Sequence, residues 1–437
     1  MPDYDVIIVG GGLAGLVAAR ELRMLDQRVL LLEAKDHLGG RAWTADWDGS
    51  PIEMGAMNVH WLNPHLWAEI MRYRLEVVEV GSFSTFALAH DDGLTRLAAH
   101  EALTHLGKGL EAFFRGLGES IPRPFDPWFD IDALVAMDEL SVSSRVEQLD
   151  LTSEERAWLE AWMTVRTSGL RDQAGVSSLV KHYAMAGHSL NRMLEMSSRF
   201  RLAGGMKALV DSIAADSRAH IRLGSPVARI VHDETSVAVH TEAGETYTAL
   251  ACIVATPPTI WPTLDVDPKL PARRTDADEV YATPHLTKIW ALAEGEVEDL
   301  FVLRADRTDA PLVHARKDIV RPDGLTTILG FSLSDGLDTG DKDKLAKEFE
   351  TIFPLPRAKI VDVFSHDWGS DVYARGGQHH LRPRQLSQTV PYLQTAESRL
   401  VFASAELANA LVGVDGALQS GTHAARRVGE LLTTHRR

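Results

Sequence analysis

The chain has 437 residues, 45% hydrophobic and 24% charged, the balance of a globular protein too long for one ordinary core, so two closely packed domains are expected. A net charge of −16 removes nucleic acid as a partner, because phosphate binding needs a basic face. The single cysteine, Cys252, excludes an intrachain disulfide and a thiolate metal site. No apolar run approaches the roughly 18 residues of a membrane helix, so the chain reads as soluble and cytoplasmic, without membrane contact.

The run Asp5 to Val9 is short, apolar and followed by glycines, which predicts a fully buried strand. Leu16 to Leu25 has helical spacing, and Arg28 to Glu33 reads as a second strand, giving a βαβ unit and hence a parallel sheet. From about residue 80 to 200 the pattern is mainly helical. Leu103, Leu106, Leu110 and Phe113 are expected on one helix face, and Thr152 with Glu155 forms a capping box before Trp158, Leu159, Trp162 and Met163. After Gly204-Gly205 a helix carries Met206, Leu209, Val210 and Ile213. Val237, Val239 and Thr241 then alternate as in a strand, and Ala251 to Ala255 is a buried strand that breaks at Thr256-Pro257-Pro258, where the chain is expected to leave the domain. Strands at Thr326 to Phe331 and Lys359 to Phe364 flank a helix bearing Leu345, Phe349 and Ile352, and a final strand, loop and helix follow from Arg399.

Gly10, Gly12 and Gly15 form GxGxxG between the first strand and helix, with Leu13 and Ala14 opening that helix. The first glycine permits a tight turn, the second lets backbone approach a pyrophosphate, and the third lets helix pack on strand. The helix N-terminus offers amides and a positive dipole end to phosphates. Glu33, followed by Ala34, ends the second strand where a carboxylate can accept from a ribose diol. Gly39-Gly40-Arg41 shifts the choice of dinucleotide to FAD, since an arginine there can neutralise a pyrophosphate that stays bound.

Beyond these motifs, Leu38-Gly39-Gly40-Arg41, Glu53-Met54-Gly55-Ala56, Pro226-Val227, Ala403-Ser404-Ala405-Glu406 and Val414-Asp415-Gly416-Ala417-Leu418-Gln419-Ser420-Gly421 resemble the flavin monoamine oxidase superfamily. The stretch from Gly55 to His60 and Ala255-Thr256-Pro257 is most similar to the bacterial hydroxynicotine oxidases in that superfamily. The resemblance implies that Glu33 holds the adenosine ribose, Arg41 the pyrophosphate and the Val227 backbone the adenine. It places Gly55, Ala56, Met57, Asn58, Trp368, Ala405, Glu406 and Val414 around the flavin. Lys288 resembles the family lysine that holds a water against the flavin's reactive nitrogen, and is the catalytic candidate. A lysine pressed on such a ring is desolvated, which lowers its pKa.

The sequence also departs from the family. One aromatic of the family's substrate cage falls on Gly413, and the other falls near Gln378, His379 or His380, with the register left open. The full cage is absent, which makes room for a bulkier amine. No cysteine stands where some relatives tether FAD, so the cofactor is expected to be non-covalent. Asn58, His60, His314, His379 and Gly413 are the expected substrate-pocket residues. His100-Glu101 with His105 is one residue too long for a zinc-protease motif, and the adjacent His379-His380 face apart, so no metal site is expected.

The fold class expected is α/β, a Rossmann-like FAD-binding domain (1–80, 200–285 and 385–437) interleaved with a mixed α+β substrate-binding domain (81–199 and 286–384). The reaction implied is oxidation of a C–N bond of a small cyclic or secondary amine by hydride transfer to FAD, with dioxygen as acceptor and hydrogen peroxide as product. The alternative is a desaturase or dehydrogenase of a non-amine on the same scaffold. Oligomeric state is left open, a homodimer included.

Overall fold

A computed structural model of the chain describes residues 2–304 and 312–435. At its centre is a five-stranded parallel sheet in the order Leu400–Phe402, Ala251–Val254, Val6–Val9, Val29–Leu32, His220–Arg222. Val6–Val9 pairs on both sides, with Val6 opposite Ala251 and Val29. Its four residues are all buried, which is why the run is continuously apolar rather than alternating. Helices Leu13–Met24, Gly205–Ser217 and Val414–His435 cover one face of the sheet and the antiparallel strands Val227–His232 and Val237–Thr241 pack on the other, with the chain reversing direction of build between Val6–Val9 and Ala251–Val254. Such a switch point opens a crevice at the carboxyl ends of the strands.

The helix Leu13–Met24 covers one face and packs along the C-terminal helix Val414–His435. Their approach is close: a Cβ on Gly421 would lie 2.2 Å from the Ala14 carbonyl oxygen. The helix Gly205–Ser217 buries Met206, Leu209, Val210 and Ile213, the stripe its spacing predicts. Val237–Thr241 alternates buried and half-buried residues as expected.

A second sheet has seven strands in the order Ala358–Asp367, Thr287–Gly295, Thr326–Ser332, His314–Val320, Leu300–Arg304, Thr85–His90, Gly93–Ala98. Its strand Thr287–Gly295 is buried on both faces. Ile289, Ala291 and Ala293 pack with Leu345, Phe349 and Ile352 of the helix Lys342–Ile352. The alternate residues Trp290 and Leu292 pack with Trp47, Met54 and Met57. Lys288 shares their phase, so the period of two sends its side chain to the same side.

Three local expectations are corrected. Residues 85–98 form a hairpin rather than helix, turning at Asp91-Asp92 before Gly93 with φ 141. In the helix Ala99–Phe114 the buried stripe is Ala102, Leu106, Gly109, Leu110 and Phe113, while Leu103 is 41% exposed at its margin. Gly109 shifts the stripe because its missing side chain admits Leu159 of the helix Ser153–Arg166. After Pro258 the chain does not leave at once: Asp265–Asp267 pairs in parallel with Val227–His232, adding a strand to a four-stranded sheet. The Thr152–Glu155 capping box forms, and Gly169, with φ 79, ends the turn beyond that helix. No helix among the described residues is long and apolar enough to cross a membrane.

Candidate active site

The carboxyl ends of Val6–Val9, Val29–Leu32 and Ala251–Val254 open into a cavity of about 740 Å3, large enough for a cofactor-sized ligand. Gly10 turns the chain with φ 107, and Gly12 caps the helix Leu13–Met24 in an extended conformation. A Cβ on Gly15 would lie 2.1 Å from the Gly10 carbonyl oxygen, so Gly15 serves helix–strand contact and does not line the cavity. A Cβ on Gly12, in contrast, has no atom nearer than 3.9 Å among those beyond its chain neighbours. This open cradle at a helix N-terminus fits a pyrophosphate.

Glu33 lies at the cavity wall beside Ala34, its carboxylate accepting from the Gly11 N–H at 2.6 Å and the Lys35 N–H at 2.8 Å. Burial pushes its carboxyl up, against those two bonds. Each carboxylate oxygen keeps acceptor capacity for a diol. Glu33→Gln is expected to weaken FAD binding about tenfold or more, since a bond to a charged acceptor contributes about 1.5–3 kcal/mol. Titration of the apoprotein with FAD measures this, and an unchanged dissociation constant would remove Glu33 from the ribose.

Gly40, Arg41, Gly55, Ala56, Val227, Trp368, Ala405, Glu406, Val414 and Gly413 also line the cavity, with Leu13 and Ala14. Gly55 is required by close approach: a Cβ there would lie 1.8 Å from the Arg41 carbonyl oxygen. Trp368 donates its indole N–H to the Met54 carbonyl at 2.8 Å. Arg41 grips Glu406 with both terminal nitrogens, at 2.6 and 3.0 Å, and donates to the Gly377 carbonyl at 2.8 Å. Burial alone would raise the Glu406 carboxyl, but Arg41 and the hydrogen bond from His379 hold it well below the usual carboxylate range. The pair keeps a bidentate cation at the cavity wall, ordered before any phosphate arrives.

Lys288 is buried at the cavity wall and donates to the Gly55 carbonyl at 2.8 Å, with the Met57 sulfur 3.4 Å from its amine. Burial lowers its pKa to about 7, and the charges of Arg201 and Arg316 add to this against Glu53 and Asp318. Glu53 is pushed the other way by its own burial, so the two groups both move towards their neutral forms. A lysine titrating near neutrality can take and return a proton at working pH.

Four of the expected pocket residues do not line this cavity. Asn58 donates to the Ser197 carbonyl at 2.5 Å. His60 is fully buried, stacked on Trp61 with centroids 3.9 Å apart, and accepts at Nδ1 from the Leu62 N–H. His314 lies between Phe301 and Phe331 and donates from Nδ1 to the Val302 carbonyl at 2.8 Å; burial lowers it to about 3, so it stays neutral. His379 has its Nδ1 3.0 Å from Glu406 Oε1 and stands behind the wall. The residue that faces the cavity is Gln378. Met57 also lies off the wall, supporting Lys288 from behind.

Lys35, Glu242, Phe331 and Tyr373 line the cavity without having been singled out. Only Lys35, two residues beyond Glu33, had a local signal. Phe331 is there because it pairs across the sheet with Lys288, a register no local pattern discloses.

The family model for flavin containing amine oxidoreductase matches residues 13–429. A pseudooxynicotine dehydrogenase from Pseudomonas sp. is 29% identical over 98% of this chain and 87% of its own length. An (S)-6-hydroxynicotine oxidase from Paenarthrobacter nicotinovorans is 27% identical over 95% of this chain and 97% of its own. Among solved structures, cyclohexylamine oxidase from Brevibacterium oxydans IH-35A superposes with a TM-score of 0.79 at 21% identity, covering 99% of this chain and 100% of its own.

Proposed function

The chain belongs to the flavin-containing amine oxidoreductases, and on that premise we propose that it is an FAD-dependent oxidase of a small cyclic or secondary amine. The observation that carries the reading is Lys288, a buried amine set on a strand at the wall of the cavity that also holds the dinucleotide cradle. FAD held by Gly12, Glu33 and Arg41 would supply the redox chemistry, as acceptor of a hydride from the carbon beside the amine nitrogen, with water for the hydrolysis that follows and dioxygen as final acceptor, giving hydrogen peroxide.

The protein's own groups bind, orient and move protons. Residues 1–80, 200–285 and 385–437 hold FAD in this reading, and 81–199 and 286–384 shape the substrate side. Gly12 and the N-terminus of Leu13–Met24 receive the pyrophosphate, with Arg41 preset by Glu406 to neutralise it. Glu33 takes the ribose. Lys288, neutral above about pH 7, would accept a proton at Nζ and return it. Binding is non-covalent: Gln378 faces the cavity, and the one cysteine, Cys252, lies buried in the parallel sheet with its thiol pushed up to about 12.

Gly413 supports a ring-bearing amine, because the position lines the cavity and a Cβ there meets nothing within 4 Å. Gly413→Tyr is expected to raise KM for bulky cyclic amines at least tenfold while small amines change little, after a backbone penalty of about 1 kcal/mol for its φ of 86. Equal losses for large and small amines would count against the open space as a size filter.

Stoichiometry tests the oxidase reading. One hydrogen peroxide should form for each amine consumed in air. Amine consumption that needs an added acceptor and gives no peroxide would mark a dehydrogenase instead, the activity named for the Pseudomonas relative.

A further inference from the structure

Residues 368–378 run from the strand Ala358–Asp367 towards the short strand His380–Leu381 without regular structure. The Gly376 N–H donates to the Trp368 carbonyl at 2.8 Å, which brings the ends together and makes the segment a closed surface loop. Much of it lines the cavity: Trp368 and Gln378 at its base, Val372 and Tyr373 in its middle. The middle shares that wall with Glu33 and Val227, where the ribose and adenine belong in the reading above.

Polar bonds rather than packing fasten the middle of the loop, since Val372 and Tyr373 are 65% and 38% exposed. The Asp371 side chain, in contrast, is 5% exposed. Its Oδ2 accepts from Lys35 Nζ and meets His366 Nε2 at 3.1 Å, and its Oδ1 accepts from the Tyr373 N–H at 3.0 Å. Burial alone would raise this carboxyl, but His366 and Lys35 hold it well below the usual carboxylate range. Lys35 in turn donates its own N–H to Glu33 Oε1 at 2.8 Å.

Two further bonds fix where the loop lies. Thr259 Oγ1 donates to the Ala374 carbonyl at 3.0 Å, and Arg41 donates to the Gly377 carbonyl at 2.8 Å. Lys35 follows the strand Val29–Leu32 and Thr259 follows Ala251–Val254, the two strands that flank Val6–Val9 in the parallel sheet. Gly10 and Gly12 follow Val6–Val9 itself, between those attachments. The loop is therefore tied on both sides of the dinucleotide crevice. A loop held by a few side-chain bonds opens more readily than the sheet beneath it.

We propose that residues 368–378 are a strap across the adenosine half of bound FAD, and that Asp371 is the positioning residue whose hold on Lys35 limits cofactor release. This rests on the FAD reading above.

The test follows FAD leaving the holoenzyme, read as the rise of flavin fluorescence after dilution. Asp371→Asn should release FAD about 10–100-fold faster, as expected for dissociation after a buried charge pair is broken. Asp371→Glu should recover part of the native rate. Lys35→Met combined with Asp371→Asn should be no faster than the faster single variant, because both break one latch. A native release rate in Asp371→Asn, or increments that simply add in the double variant, overturns the latch.

Trypsin separates an opened strap from a loosened fold. Arg375 is exposed within the loop, so Asp371→Asn should be nicked there faster in proportion to its FAD release, with the melting temperature little changed. Nicking spread along the chain with a lower melting temperature overturns the strap. A native protein that holds no flavin and takes none up removes the FAD reading and the strap with it. Flavin held by both proteins and released at one rate overturns the strap alone.

Discussion

Gly12→Val should give a chain that folds with the melting temperature of the native apoprotein and purifies without colour. Gly12 has φ −71 and ψ 173, extended backbone that a valine adopts without strain, and a new Cβ meets nothing closer than 3.9 Å. The fold therefore loses little, about the few tenths to one kcal/mol by which residues differ at a helix N-cap. The added methyls would project where a pyrophosphate must approach the first amides of Leu13–Met24. Flavin affinity should fall on the order of a thousandfold, the equivalent of about 4 kcal/mol. Gly15→Val is the control, because its Cβ would lie 2.1 Å from the Gly10 carbonyl oxygen and force the helix off the strand. That variant should fail in folding itself. A yellow Gly12→Val protein with full flavin content would contradict the cradle.

Lys288→Met has the second large effect. Methionine has a similar reach and no charge, so a site already desolvated tolerates it, and flavin content should stay at the native level. Turnover should fall about 10²–10⁴-fold, the range of a positioned proton-transfer group. The pH dependence carries the sign. With its pKa lowered to about 7, Lys288 is charged below that pH and neutral above it, so a proton acceptor works as the pH rises through that value. The native rate should climb across this interval and the Met variant should lose that limb. Unchanged rates with a retained limb would remove Lys288 from the chemistry.

What could be read from the chain was what local spacing encodes. Gly10, Gly12, Gly15 and Glu33 sit on one strand–helix–strand unit, so their roles follow from neighbours within 23 residues, and the cavity brings Gly10, Gly12 and Glu33 together. The Asp91-Asp92-Gly93 turn is also local, a hairpin signal that lies inside a stretch whose longer spacing is helical. Other positions depend on partners far along the chain. His314 turns to the Val302 carbonyl and His60 to Glu195 and the Phe200 ring, none of which a histidine's own flanks announce. The register between Gln378 and His379 is set by Glu406, which draws His379 inward and leaves Gln378 on the cavity.

Anaerobic absorbance tests the central claim most directly. The yellow protein is mixed, without oxygen, with cyclic and secondary amines, N-methyl amino acids and non-amine ring compounds, and then exposed to air. Bleaching of the flavin band by an amine, with colour and peroxide returning in air, is the expected result. Bleaching by a non-amine alone, or by nothing in the panel, would contradict oxidation of a carbon–nitrogen bond.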